Sequence, residues 1–152
     1  MDNLDKLYPF IDKKVLFVGI GNALKSDDAV GIYVCNQIVS RDNLLKIVVE
    51  SGIERFVGKI NRIDPDILIL VDCTDFNQKP GYFDLRPVSD ISDNTFNTHT
   101  ISLRRISEFF SMKKFLLGIQ PGYTGFGEIL SPEVKKSADY IISFINSNKM
   151  EE

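Results

Sequence analysis

Two cysteines, Cys35 and Cys73, are all that 152 residues contain. Two thiols cannot build a disulfide framework or a four-thiolate zinc site. Histidine is scarcer still: His99 is the single imidazole, so any chemistry of that group has one address. A dominant charge is missing too. Eighteen basic residues against twenty-one acidic ones give a formal net charge of −3. That balance argues against nucleic acid or an anionic membrane surface as the main partner. No apolar run reaches the roughly 18 residues that a spanning helix needs. The start, Met1-Asp2-Asn3-Leu4-Asp5, has neither the basic region nor the apolar stretch of a secretory signal. Repeats, low-complexity tracts and Pro/Gly/Ser linkers are also lacking. These absences predict a single cytoplasmic domain over residues 1–152, its ordered core running from about Lys14 to Asn146.

What is present is an alternation of apolar runs with stretches at helical spacing. Lys14-Val15-Leu16-Phe17-Val18-Gly19 reads as a strand buried on both faces. A turn over Ile20–Lys25 leads to Ser26 as N-cap of a helix whose Val30, Tyr33, Val34 and Ile38 share a face. Leu45–Glu50 is a second strand, and Ile53, Phe56, Val57 and Ile60 mark a second helix. The third strand, Ile67–Asp72, is the most apolar run in the chain. Pro80-Gly81 signals a turn before a fourth strand at Tyr82–Arg86, and the polar stretch Pro87–Thr98 reads as a loop. Leu103, Ile106 and Phe110 form a third helical stripe beginning near Thr100, followed by a fifth strand, Lys114–Ile119, and a glycine-containing loop, Gln120–Leu130. Ser131-Pro132-Glu133 opens a closing helix with Val134, Ala138, Ile141 and Ile145 inward, and Asn146–Glu152 reads as a frayed tail. The pattern predicts an α/β protein: a three-layer α/β/α sandwich around a five-stranded, mostly parallel twisted sheet.

In such sheets ligands sit beyond the carboxyl ends of the strands. That rule selects Asp27 and Asp28 after the first strand, Glu50 after the second, Asp72 at the end of the third, His99 before the third helix and Gln120 after the fifth strand. Each has a plainer explanation. Asp27 and Asp28 could simply complement a helix dipole. Asp72 could belong to an ordinary strand-end turn with Thr74 and Asp75, although a charge ending an aliphatic run needs a partner. A lone histidine in a polar loop is commonly a surface residue. Cys35 reads as a core residue within a helix, and Cys73 as a nucleophile would need His99 as its base.

Gly19-Ile20-Gly21-Asn22-Ala23-Leu24 begins like a dinucleotide fingerprint but has leucine at the third glycine. Leu24-Lys25-Ser26 lacks the glycine that precedes the lysine of a phosphate-binding loop, and two carboxylates beside that turn would repel phosphate. Asp28, Asp72 and His99 together suit a divalent transition ion such as Ni²⁺, Zn²⁺ or Mn²⁺, with coordination positions left over.

The stretch Gly19-Ile20-Gly21-Asn22-Ala23-Leu24-Lys25-Ser26-Asp27-Asp28-Ala29-Val30-Gly31 resembles the opening signature of the NiFe-hydrogenase maturation endopeptidases. Val71-Asp72-Cys73-Thr74-Asp75 with Pro80-Gly81 resembles their second block, Thr98-His99 the third, and Leu116-Leu117-Gly118-Ile119-Gln120-Pro121 the fourth. Order and spacing agree from about Lys14 to Ile145, and the last block is most similar to the branch that processes hydrogenase-3-type large subunits. Asp28 stands where some members have glutamate, Ala29 where many have glycine and Cys73 where alanine is common.

The resemblance implies an endopeptidase that clips a C-terminal extension from the hydrogenase large-subunit precursor after nickel insertion. It implies Asp28, Asp72 and His99 as nickel-contacting residues, with Asp28 and Asp72 catalytic. The nickel would arrive with the substrate, and other divalent metals could occupy the site. Either the metal polarises the carbonyl or activates water, or an aspartate acts as general base while nickel serves recognition. Gly21, Gly52 and the loop from Gln120 to Gly127 are candidates to shape a peptide groove. Two other classes remain open at this point: a non-catalytic metal- or nucleotide-binding assembly chaperone, and a cysteine hydrolase using Cys73 and His99.

Overall fold

The computed structural model describes residues 2–10, 12–50, 52–90 and 103–147. Its centre is a five-stranded sheet: β1 (Val15–Ile20), β2 (Leu44–Val49), β3 (Ile67–Cys73), β4 (Phe83–Pro87) and β5 (Lys113–Ile119), in the order β2-β1-β3-β5-β4. The β1–β2, β1–β3 and β3–β5 pairs are parallel, and β4 closes the edge antiparallel to β5. Every residue of β1 and β3 is buried, which is why both read as continuous apolar runs rather than as alternations.

Side chains alternate across the sheet and feed two cores. Val15 and Phe17 of β1 and Ile67, Ile69 and Val71 of β3 pack with α1 (Val30–Gln37) and α4 (Pro132–Asn146). Leu16, Val18, Leu68 and Leu70 face the opposite layer. There Ile60 of α2 (Val57–Ile63), Ile106 of α3 (Leu103–Ile106) and Phe110 complete the packing. The expected three-layer architecture is therefore the observed one.

Three details differ from the pattern-based reading. The first and second helices each begin with a 3₁₀ turn, Ser26–Ala29 and Ile53–Phe56. The third stripe is a four-residue α3 running into a 3₁₀ turn at Ser107–Phe109; its expected start near Thr100 and most of the expected Pro87–Thr98 loop lie outside the described residues. Third, the core reaches further toward the N-terminus than Lys14. A 3₁₀ helix over Asp2–Phe10 buries Leu4 and Leu7 completely in the α1/α4 core. Its polar side holds the edge strand: Asn3 Nδ2 donates to Phe83 O, and Lys6 Nζ donates to Asp84 Oδ1 at 2.6 Å.

Candidate functional site

The carboxyl ends of β1 and β3 meet the start of α1 at unusually short range. A Cβ on Gly31 would lie 2.1 Å from the Val71 carbonyl oxygen and 2.5 Å from that of Ile20. One on Gly19 would lie 2.4 Å from the Gly31 carbonyl oxygen, and one on Gly21 would lie 2.1 Å from that of Asp28. These three glycines let backbone pack on backbone, drawing the 3₁₀ turn Ser26–Ala29 onto the sheet edge. Gly21 thus serves the seating of Asp28. Gly52, at φ +69°, caps the 3₁₀ turn after β2.

Asp28 and Asp72 are both buried there. Asp72 follows Leu68 and Leu70 on the same side of β3, but at the strand's carboxyl end, where apolar cover gives way to carboxylates. Its Oδ1 accepts the Cys73 amide at 2.8 Å. Among the described residues, Oδ2 is a buried side-chain oxygen with no hydrogen-bond partner. Burial first, and then the charge of Asp28, push the Asp72 carboxyl well above the usual carboxylate range, while the Cys73 amide opposes the shift. The structure thus brings two of the three expected metal-contacting residues together. His99 lies outside the described residues, and among those described no group of three His, Cys, Asp or Glu side chains is placed to hold a metal.

Asp27, a carboxyl-edge candidate whose plainer explanation is dipole complementation, does something else. It is fully buried and accepts four hydrogen bonds: from Gly122 N (2.8 Å), Tyr123 N (2.9 Å), Ser131 N (2.7 Å) and Ser131 Oγ (2.6 Å). Ser131 occupies the N-cap position of α4, yet its hydroxyl goes to Asp27 and makes no cap bond. Nor is Ser26 a cap: it sits at φ +52° and its Oγ donates to Gly125 O at 2.9 Å. Gln120 is a second clamp. Its Oε1 accepts from Phe76 N at 2.6 Å and Gln78 N at 3.3 Å, and its Nε2 donates to Asp75 Oδ1 at 3.3 Å. Room for that fold-back comes from Gly118, where a Cβ would meet Phe76 Cζ and Thr74 Oγ1 at 2.6 Å. Glu50 is exposed just beyond β2.

Cys73 is buried, and desolvation, with the charges of Asp72, Asp28, Asp27 and Asp75 behind it, pushes its thiol far above the ordinary range. A thiol so placed does not supply the thiolate that a cysteine hydrolase requires. Cys35 packs fully buried against β1, its thiol pushed up to about 12 by burial.

Comparison with known proteins places the chain's sequence and fold beside one family. The family model HycI, described as hydrogenase maturation protease, matches residues 42–148. A Methanocaldococcus jannaschii protein named as a candidate hydrogenase maturation protease is 31% identical over 145 residues, 86% of this chain and 85% of the relative. The hydrogenase 3 maturation protease of Escherichia coli K12 is 23% identical over 128 residues, 80% of this chain and 82% of its own. Among solved structures, the NiFe-hydrogenase maturation protease HycI of Thermococcus kodakarensis superposes with a TM-score of 0.79 at 29% identity, covering 96% of this chain and 98% of that one.

Proposed function

The chain belongs to the hydrogenase maturation protease family, and from that premise we propose that it is the endopeptidase that removes a C-terminal extension from a NiFe-hydrogenase large-subunit precursor in the cytoplasm. Asp28, Asp72 and His99 recognise nickel that the precursor already carries, and the nickel is part of the substrate. The observation that carries this reading is the buried Oδ2 of Asp72 beside Asp28, which has no hydrogen-bond partner among the described residues. An isolated carboxylate oxygen out of water is costly, and a divalent cation presented by an incoming chain would offset that cost. The donor set, two carboxylates with an imidazole, suits nickel among the divalent transition ions.

The chain's own residues then have defined tasks. Gly19, Gly21 and Gly31 fix the 3₁₀ turn so that Asp28 and Asp72 face a common ligand. Together these side chains hold the precursor with its scissile peptide at the carboxyl edge of the sheet. One of the two aspartates takes the proton of the attacking water and returns it to the leaving amine, so that proton and charge balance across hydrolysis. When bound, the nickel supplies positive charge to polarise the scissile carbonyl.

The test incubates the purified protein with large-subunit precursor, nickel-loaded and nickel-free, and reads intact masses. Loss of a C-terminal peptide from the loaded sample alone is expected, and Asp28→Asn is expected to prevent it. No mass change in a precursor shown to contain nickel would overturn the reading in favour of a non-catalytic assembly factor. Cleavage by Asp28→Asn at the wild-type rate would remove Asp28 from the machinery.

A further inference from the structure

The proposed reaction leaves one fully buried carboxylate without a task, that of Asp27. Dipole complementation does not require burial, and burying a carboxylate is costly unless donors surround it. Four neutral donors do so here, from Gly122, Tyr123 and twice from Ser131, at 2.6 to 2.9 Å. The same two segments are joined again on either side. Ser26 N donates to Gly127 O at 2.9 Å, Gly127 N to Leu24 O at 2.9 Å, and Asp27 N to Tyr123 O at 3.0 Å. A surface loop is thereby pinned to the turn that carries Asp28, one residue from Asp27.

That loop presents large apolar side chains to solvent. Tyr123 is 58% exposed, Phe126 84% and Ile129 82%. Leu24, on the turn that the loop is pinned to, is 50% exposed. Large apolar side chains exposed along one short loop are available to an incoming chain, and rigid presentation lowers the ordering cost of binding.

We propose that Asp27 is a positioning residue: it holds the 122–131 loop beside Asp28 so that Tyr123, Phe126 and Ile129 seat apolar side chains of the precursor flanking the scissile bond. The proposal rests on the peptidase reading above. Asp27→Asn replaces one acceptor oxygen by an NH₂ group facing N–H or O–H donors, releasing the loop at one or both ends. A loop set loose seats the precursor less well but leaves Asp28 and Asp72 in place, so the defect belongs in KM rather than in kcat.

The experiment measures initial cleavage rates against nickel-loaded precursor concentration for wild type, Asp27→Asn, Ser131→Ala and Phe126→Ala. Amide hydrogen exchange is followed on the same free proteins. For Asp27→Asn the amides of Gly122, Tyr123 and Ser131 are expected to exchange at least about tenfold faster, with KM up about tenfold and kcat within about twofold. Ser131→Ala, which removes one donor of four, is expected to raise KM about two- to threefold. Phe126→Ala, at an exposed position, is expected to raise KM severalfold with no change in thermal midpoint.

Faster loop exchange with an unchanged KM would overturn the proposal. So would an unchanged KM with kcat falling in step with the folded fraction, the signature of a merely structural role. If Asp27→Asn fails to fold, Ser131→Ala and Phe126→Ala decide on the same readouts, and an unchanged KM in both overturns it. A wild-type protein that leaves the loaded precursor intact sinks the peptidase reading and this proposal with it. Wild-type cleavage with KM insensitive to all three variants sinks this proposal alone.

Discussion

A β-carbon on Gly31 would stand 2.1 Å from the carbonyl oxygen of Val71, so the first turn of α1 rests directly on the backbone of β3. That contact sets how closely the turn bearing Asp28 approaches the strand that ends in Asp72. Gly31→Ala forces two backbones apart, and neither can yield as a flexible side chain would. The variant is expected to lose about 2–3 kcal/mol of stability, within the range of overpacked cores. Its cleavage rate should fall by more than the loss of folded protein, read by denaturant unfolding beside the precursor assay.

Asp72→Asn is expected to separate stability from activity. The amide keeps an acceptor for the Cys73 N–H and removes a buried charge from beside Asp28. Cleavage should fall by at least about 100-fold, the lower range for a lost acid–base group. Because the folded carboxyl titrates above its unfolded value, the wild type carries a penalty that is absent below the ordinary carboxylate range and grows as pH rises through the folded value. The variant's advantage should therefore be small in acid and larger near neutrality. Thermal midpoints across pH would show this, and a variant less stable than wild type at neutral pH would contradict it.

Cys73→Ala is expected to cleave within about threefold of wild type and to lose about 1 kcal/mol from the small void it leaves. The thiol is buried and held protonated, first by desolvation and then by the charges of Asp72, Asp28, Asp27 and Asp75. Abolished cleavage in a folded Cys73→Ala protein would restore the cysteine-hydrolase reading.

The N-terminal 3₁₀ helix is tied to the edge strand by the Lys6–Asp84 pair at 2.6 Å, with Arg86 Nε on the other Asp84 oxygen at 2.9 Å. Burial alone would raise the Asp84 carboxyl, but the hydrogen bonds from Lys6 and Arg86 outweigh it, and the carboxyl lies below its ordinary range. A lowered folded value means stability present above the unfolded value near 3.8 and lost as pH falls through the folded one. Lys6→Met should cost about 0.5–1 kcal/mol at pH 7, as expected for a half-exposed lysine screened by solvent. The gap to wild type should close in acid and shrink in molar salt, as denaturant midpoints would report.

How far the sequence alone reached follows from the range of the forces involved. β1 and β3 are legible because a strand buried on both faces must be apolar throughout, and the carboxyl-edge rule then selects Asp28 and Asp72 along with Asp27, Glu50, His99 and Gln120. The glycines of the Gly19–Gly31 stretch are visible as glycines, but the oxygens that exclude a Cβ there belong to Ile20, Asp28, Gly31 and Val71 in the folded chain. Leu4 and Leu7 are not legible in this way, because one short 3₁₀ helix with two buried leucines carries no periodic signal of useful length. Asp27 looked like a helix-start carboxylate and Ser131 like a cap, since local sequence offers each an adequate partner nearby. Tertiary structure paired them with each other, 104 residues apart. A side chain's local chemistry fixes what it can bond to, and only the packed fold decides which donor arrives within 3 Å of it.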